Sequence, residues 1–317
     1  MQERLEELLL MAIKKNVSDI HITNTNGTMK IEFRVNNDLV EVKSIEKDRK
    51  LLKYLQYLSN IDMGNLLNPT SGRFDLFINN QHKSFRFSIM YSKNIINGVL
   101  RILNYDLKLN IDTLSTDEKQ NNYFKSINDM NNGLILVTGP TSSGKTTTLY
   151  TILNGLKNKK IYTLEDPIEV VSDNYLQLQV NEKTMDYDAG IKQLLRHDPD
   201  VIMIGEIRDA ITASMAIRAS LTGHLVLSSI HSSNPTNCIK RLNDLNIDDT
   251  LLESSLKGII NQRLFKYKYK EGRCAIYEIF DESDIQYYIK FKKCKNSYKK
   301  LEHYIEKANK KKIIDFK

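Results

Sequence analysis

"GLILVTGPTSSGKTTTLYTILNGL", residues 133–156, decides how the rest of the chain is read. Its centre runs Gly139, four residues, Gly144, Lys145, Thr146, the G-x-x-x-x-G-K-[ST] spacing of a phosphate-binding loop. Glycines let the backbone wrap so that successive N–H groups point at one anion. Lys145 brings a positive charge to terminal phosphates, and the Thr146 hydroxyl can ligate Mg²⁺. The flanks agree with this. "GLILVTG" is a continuous apolar run, as in a parallel strand buried on both faces. Leu149, Ile152, Leu153 and Leu156 then recur at helical spacing. The candidate nucleotide-binding residues are Gly139, Thr141, Ser142, Ser143, Gly144, Lys145, Thr146 and Thr147.

Downstream the same alternation repeats. "KIYTLED", "VIMIGEI" and "HLVLSSIH" read as further buried strands, with helices at 145–157, about 187–196 and 209–222. This predicts an α/β fold with a mostly parallel sheet covered on both faces. Upstream the pattern is different. A helix is expected over 2–15, strands in "VSDIHIT" and "MKIEFRVNN", and a helix in "DRKLLKYLQYLSNI". Strands follow in "SGRFDLFI", "KSFRFSIMYS" and "GVLRILN". The expected organisation is an N-terminal α+β domain over 1–104, a linker over 105–115, and the nucleotide-binding domain over 116–317 with a basic helical C-terminal region.

Composition narrows the class. Hydrophobic content of 41% and charged content of 27% are ordinary for a globular protein. No apolar run approaches a membrane span, and the acidic amphipathic start does not resemble a signal peptide. Cys238, Cys274 and Cys294 form no C-x-x-C pair, so neither zinc nor a disulfide framework is expected. The net charge of +7 lies entirely in residues 266–317, which hold 15 Lys/Arg against 8 Asp/Glu. Such a block either touches anionic lipid, nucleic acid or an acidic partner, or is a solvated helix face.

In open parallel sheets the ligand sits at the carboxyl ends of the strands. Four strands here end in polar clusters: "GPTSSGKT", "EDPIE", "GEIRD" and "HSSN". Glu206 closes an apolar strand and can hold Mg²⁺ through water. Glu165, Asp166 and Glu169 are candidates to orient or deprotonate a water. His224 and His231 flank one strand and lie too far apart to share a metal.

With these residues in view, the chain resembles the secretion and pilus ATPases of the GspE/PilB/PilT superfamily. "GPTSSGKTTTLY", "TLEDPIE", "LLRHDPDVIMIGEIRD" and "LTGHLVLSSIHSSN" look like that family's Walker A, Asp, Walker B and His boxes, in order. "SDIHI", "SGRFDL" and "FRFSIMYS…GVLRIL" resemble its PAS-like N-terminal domain, and "LKGIINQRL" and "GRCAIYEIF" its RecA-like core. The resemblance implies ATP and Mg²⁺ as cofactors, with Thr146 and Glu206 at the metal. It implies Glu165 as catalytic base, Glu206 as Walker B acid and His231 as a γ-phosphate or interface contact. Arg86 and Arg101 match arginines that reach the γ-phosphate, the arginine-finger device.

The resemblance also implies a homohexamer that is cytoplasmic, peripherally associated with the membrane, and working on a polytopic platform protein of a pilus machine. Direct nucleic-acid binding is not expected. The chain starts at the position of the family's second domain. It lacks the tetracysteine insertion after "QRL" and an "AIRNLI"-like motif, so it looks most like the competence pilus assembly subfamily. Pilus retraction, type II secretion and DNA translocation are the alternative readings. Removal of the basic tail after Phe280 is expected to affect platform recruitment more than hydrolysis.

Overall fold

The computed structural model describes residues 1–35, 38–64, 70–79, 81–103, 109–180 and 185–315. The chain divides into two compact units, Met1–Tyr105 and Asp106–Lys317. The expected domain boundary at 104 and the first part of the expected linker fall outside the described residues.

In the first unit, helix α1 (Gln2–Lys14) precedes strands β1 (Asp19–Thr25), β2 (Thr28–Val35) and β3 (Asp38–Val42). Helix α2 (Leu51–Leu58) and strands β4 (Thr70–Ile78), β5 (Gln81–Ser92) and β6 (Ile95–Leu103) follow. The strands form an antiparallel sheet in the order β3-β2-β1-β6-β5-β4. Period-two alternation gives it one apolar face, with Ile20, Ile22, Phe33, Phe85, Phe87 and Leu100 buried. Leu5, Leu8 and Leu9 of α1 and Leu51, Leu52 and Leu55 of α2 belong to the same core. Arg4 ties α1 to the chain before α2 through a two-pronged bond to the fully buried Asp48 carboxylate, at 2.9 and 3.1 Å. β3 was not expected from the sequence.

The second unit opens with α3 (Glu118–Ser126), β7 (Gly133–Thr138), α4 (Lys145–Gly155), β8 (Ile161–Glu165) and β9 (Leu176–Gln179). It continues through α5 (Tyr187–Leu194), β10 (Val201–Ile204), α6 (Ala210–Leu221), β11 (Leu225–Ile230), α7 (Pro235–Asp244) and α8 (Asp249–Ser255). It ends with β12 (Leu256–Lys266), β13 (Arg273–Asp281), α9 (Glu282–Phe291) and α10 (Leu301–Lys310). The sheet order is β13-β12-β7-β11-β10-β8-β9, parallel except for β13. β7, β8, β10 and β11 are buried at every position, as continuous apolar runs require.

The basic C-terminal helices are solvated on one side and packed on the other. Ile285, Tyr288 and Ile289 of α9 sit in the main core of this unit. Leu301, Ile305 and Ala308 of α10 pack with Cys274 and Ile276 of β13. The lysines cover the outside of helices whose other side is structural, so the region after Phe280 is part of the fold.

Candidate nucleotide-binding and hydrolysis site

Because β7, β11, β10 and β8 run parallel, their carboxyl ends lie along one edge of the sheet. Side-chain bonds stitch these ends together. Thr138 Oγ1 donates to the Ser232 carbonyl, Ser228 Oγ to that of Ile204, and Ser229 Oγ to that of Gly205. The four polar clusters thereby form one continuous rim.

The loop after β7 turns on positive φ angles at Gly139 (148°), Ser142 (61°) and Gly144 (88°). A Cβ on Gly139 would stand 2.4 Å from the Gln262 carbonyl oxygen, so glycine is required there for space as well as for φ. Lys145 Nζ folds back on the loop and donates to the carbonyls of Gly139 and Pro140 at 3.1 and 3.2 Å. Burial pulls the Lys145 pKa down, opposed by the charges of Glu206 and Glu169. Those carboxylates therefore share the field of the loop lysine. The N–H groups of Gly144, Lys145, Thr146 and Thr147 donate to no acceptor among the described residues, as expected at a helix start. Four unengaged donors and an ammonium at one helix N-terminus form an anion cradle, and the triphosphate of ATP fits it. Mg²⁺ keeps several waters and takes few protein ligands besides phosphate oxygens. Thr146 and Glu206 match that demand.

Glu206 follows β10 by two residues. Its Oε2 accepts from Arg208 Nε at 2.7 Å, and its Oε1 lies 2.9 Å from His231 Nε2 at the end of β11. The structure thus joins two sequence-predicted residues and adds Arg208, which the sequence reading left out. His224 lies at the opposite end of β11, against the Ala219 carbonyl that closes α6, and takes no part in this rim.

Glu165 ends β8 and is 4% exposed. Its carboxylate accepts from Thr163 Oγ1, Tyr150 Oη and Gln177 Nε2. Burial pushes its pKa up while these donors act in the opposite direction. Tyr150 belongs to α4, the helix that starts at the loop lysine, so the loop helix itself holds this acid. Neither Tyr150 nor Gln177 was a sequence candidate. Gln177 lies on β9, a four-residue edge strand with little periodic signal.

In the first unit, Arg86 and Arg101 lie directly opposite each other on β5 and β6. Register extends the row across five strands as Arg34, Asp19, Arg101, Arg86 and Arg73, on the face away from the apolar core. Like charges directly opposite are unfavourable. Asp19 relieves part of this, accepting from Arg101 Nε at 2.7 Å. Among the described residues Arg86 has a single long contact, 3.5 Å to Ser71 Oγ. Pairing between distant strands creates this row, so only its separate members are visible in the sequence.

The family model for type II/IV secretion system proteins matches residues 1–310. The chain belongs to that family. It is 38% identical over 270 residues to the putative type II secretion system protein E of Escherichia coli, covering 83% of this chain and 54% of that protein. It is 38% identical over 266 residues to competence protein ComGA of Bacillus subtilis, covering 82% of this chain and 74% of that one. The chain therefore spans about half the length of the secretion relative. Among solved structures, the pilus retraction motor PilT with bound ADP aligns with a TM-score of 0.76 at 27% identity, covering 98% of this chain and 94% of PilT.

Proposed function

We propose that the chain hydrolyses MgATP as a homohexameric motor and powers assembly of a type IV-like competence pilus, and through it DNA uptake. One observation supports this above the others. A phosphate loop with four unengaged N–H groups shares a sheet edge with Glu165 and the Glu206–His231 pair. The choice of competence assembly rests on the likeness to ComGA, which this chain covers further than the secretion relatives.

In this reading residues Gly139–Thr147 hold the phosphates, and Thr146 and Glu206 hold Mg²⁺. Mg²⁺ held there would supply positive charge to offset that of the phosphates. Glu165 accepts the proton of the attacking water. For that, one of the donors to its carboxylate must yield to the water. His231 fixes Glu206 and contacts the γ-phosphate or the next subunit. Arg86 and Arg101 supply positive charge to the transferring phosphoryl group, and their unit is read as PAS-like, with its first and last strands adjacent at mid-sheet. The motor works from the cytoplasmic side on a polytopic membrane platform protein, without holding DNA itself.

The experiment is deletion of the gene, scored for surface filaments and for uptake of added DNA. Loss of both supports the assembly motor. Retained or lengthened filaments instead indicate retraction, the role named for PilT. Normal filaments with lost uptake indicate a translocase.

A further inference from the structure

We propose that Gln262 is a positioning residue of the phosphate loop, holding the loop from the neighbouring strand and setting how strongly it binds phosphate. The proposal rests on the nucleotide-binding reading above. β12 runs parallel beside β7, and its register places Asn261 opposite Thr138, the last residue before the loop. Gln262 is the next residue, and its side chain is fully buried. Its Nε2 donates to the main-chain carbonyl of Ser143 at 2.6 Å. The Gln262 carbonyl closes on the start of the loop, 2.4 Å from where a Cβ on Gly139 would stand. A Cβ on Gly144 would stand 3.3 Å from Gln262 Nε2. One residue of β12 therefore meets the loop at both glycines.

The carbonyl it anchors has a consequence for the anion cradle. The Ser143–Gly144 peptide is planar and trans, so its C=O and N–H point in opposite directions. Fixing the Ser143 carbonyl from behind fixes the aim of the Gly144 N–H in front. That N–H is the first of the four donors at 144–147 with no acceptor among the described residues. A buried donor on the far side of the loop thereby orients a donor on the phosphate side.

Stability alone does not account for a glutamine here. Its Oε1 and the neighbouring Ser143 Oγ are both buried without a partner among the described residues. A half-satisfied buried carboxamide is costly; an apolar side chain of similar volume avoids that cost but leaves the Ser143 carbonyl without its donor. The amide donor is what an apolar residue lacks.

The test measures ADP binding and steady-state ATP hydrolysis for the wild type, Gln262→Met, Gln262→Glu and Ile259→Val. Ile259 is a buried core residue of the same strand and serves as the stability control. Gln262→Met is expected to raise the ADP Kd and the KM for ATP about tenfold, the scale of one lost buried hydrogen bond. Its kcat is expected to stay within about threefold, with a melting temperature lowered no more than about that of Ile259→Val, since the loss is in holding phosphate rather than in the chemical step. Gln262→Glu sets an acceptor against the Ser143 carbonyl at high pH. Protonation restores a donor, so its ADP affinity relative to the wild type rises as pH falls. Ile259→Val leaves KM unchanged.

ADP binding by Gln262→Met equal to the wild type overturns the proposal. So does a Gln262→Glu profile parallel to the wild type, which decides the matter if the Met variant does not fold. Parallel losses of affinity, kcat and melting temperature also overturn it. Failure of the wild type to bind ADP removes the nucleotide reading itself, a distinguishable result.

Discussion

At the scale of single residues, Glu165 carries opposing influences. Burial raises its pKa, and Thr163, Tyr150 and Gln177 donate to its charged form and lower it. A general base must be ionised, so its pKa sets the acid limb of the pH–rate profile. Tyr150→Phe removes one donor to the carboxylate. The Glu165 pKa then rises further, and the acid limb of ATP hydrolysis is expected to move to higher pH, with turnover at alkaline pH retained. A pH–rate profile with an unmoved acid limb would show that another group is the base. Arg101 is the second residue to test. Arg101→Ala is expected to lower turnover by roughly 10³-fold while ATP still binds, the low end of arginine-finger effects. Single-turnover hydrolysis alongside equilibrium binding separates the two. Lys145, Glu206 and His231 were legible in the sequence because each lies in a short box at a strand end. Tyr150, Gln177 and Gln262 were not, because their partners are 15, 12 and 119 residues away.

At the scale of elements, composition shows only one side of the C-terminal helices. Lysine density in 290–312 suggests a solvated face, which the exposed lysines form; on the other side Leu301, Ile305 and Ala308 recur at i, i+4 and i+7 and are buried. Tyr298 Oη and Asn261 Nδ2 both donate to the buried Glu278 carboxylate, tying the segment before α10 to β12 and β13. Lys307 Nζ reaches Asp117 at the start of α3, which raises the Lys307 pKa. Truncation after Phe280 is therefore expected to yield insoluble or unfolded protein, in place of a hydrolysing protein that fails only in recruitment. Ile289→Ala in α9 is expected to cost about 2–4 kcal/mol by loss of burial and cavity formation. The exposed Lys310→Ala should stay within about 0.5 kcal/mol. Urea unfolding of both variants checks this, and equal midpoints would mean that α9 does not share the core. β7, β8, β10 and β11 were legible because their buried runs are continuous. β3 and β9 were not, because each is a short edge strand with little buried surface to leave a pattern.

At the scale of the whole chain, the question is whether its positive charge is a nucleic-acid footprint. The excess of +7 lies in residues 266–317, which would suit a polyanion track if these lysines were unengaged. Several are not. Lys292 pairs with Asp249, Lys295 with Asp284 and Lys307 with Asp117. Among the described residues, the other lysines of this stretch are spread over the β12–β13 turn, α9, α10 and the segments that flank these helices, with Glu271, Glu282, Glu302 and Glu306 among them. Phosphate-backbone binding needs several lysines or arginines acting together, and its affinity falls steeply with salt. Charges already paired add little to that release of counterions. Hydrolysis by the chain is therefore expected to change less than about twofold on addition of single- or double-stranded DNA, at about 50 mM and about 200 mM salt alike. A translocase would show strong stimulation at the lower salt and lose most of it at the higher. Measuring turnover over that salt range with and without DNA separates a motor that serves DNA uptake through a filament from one that grips DNA itself.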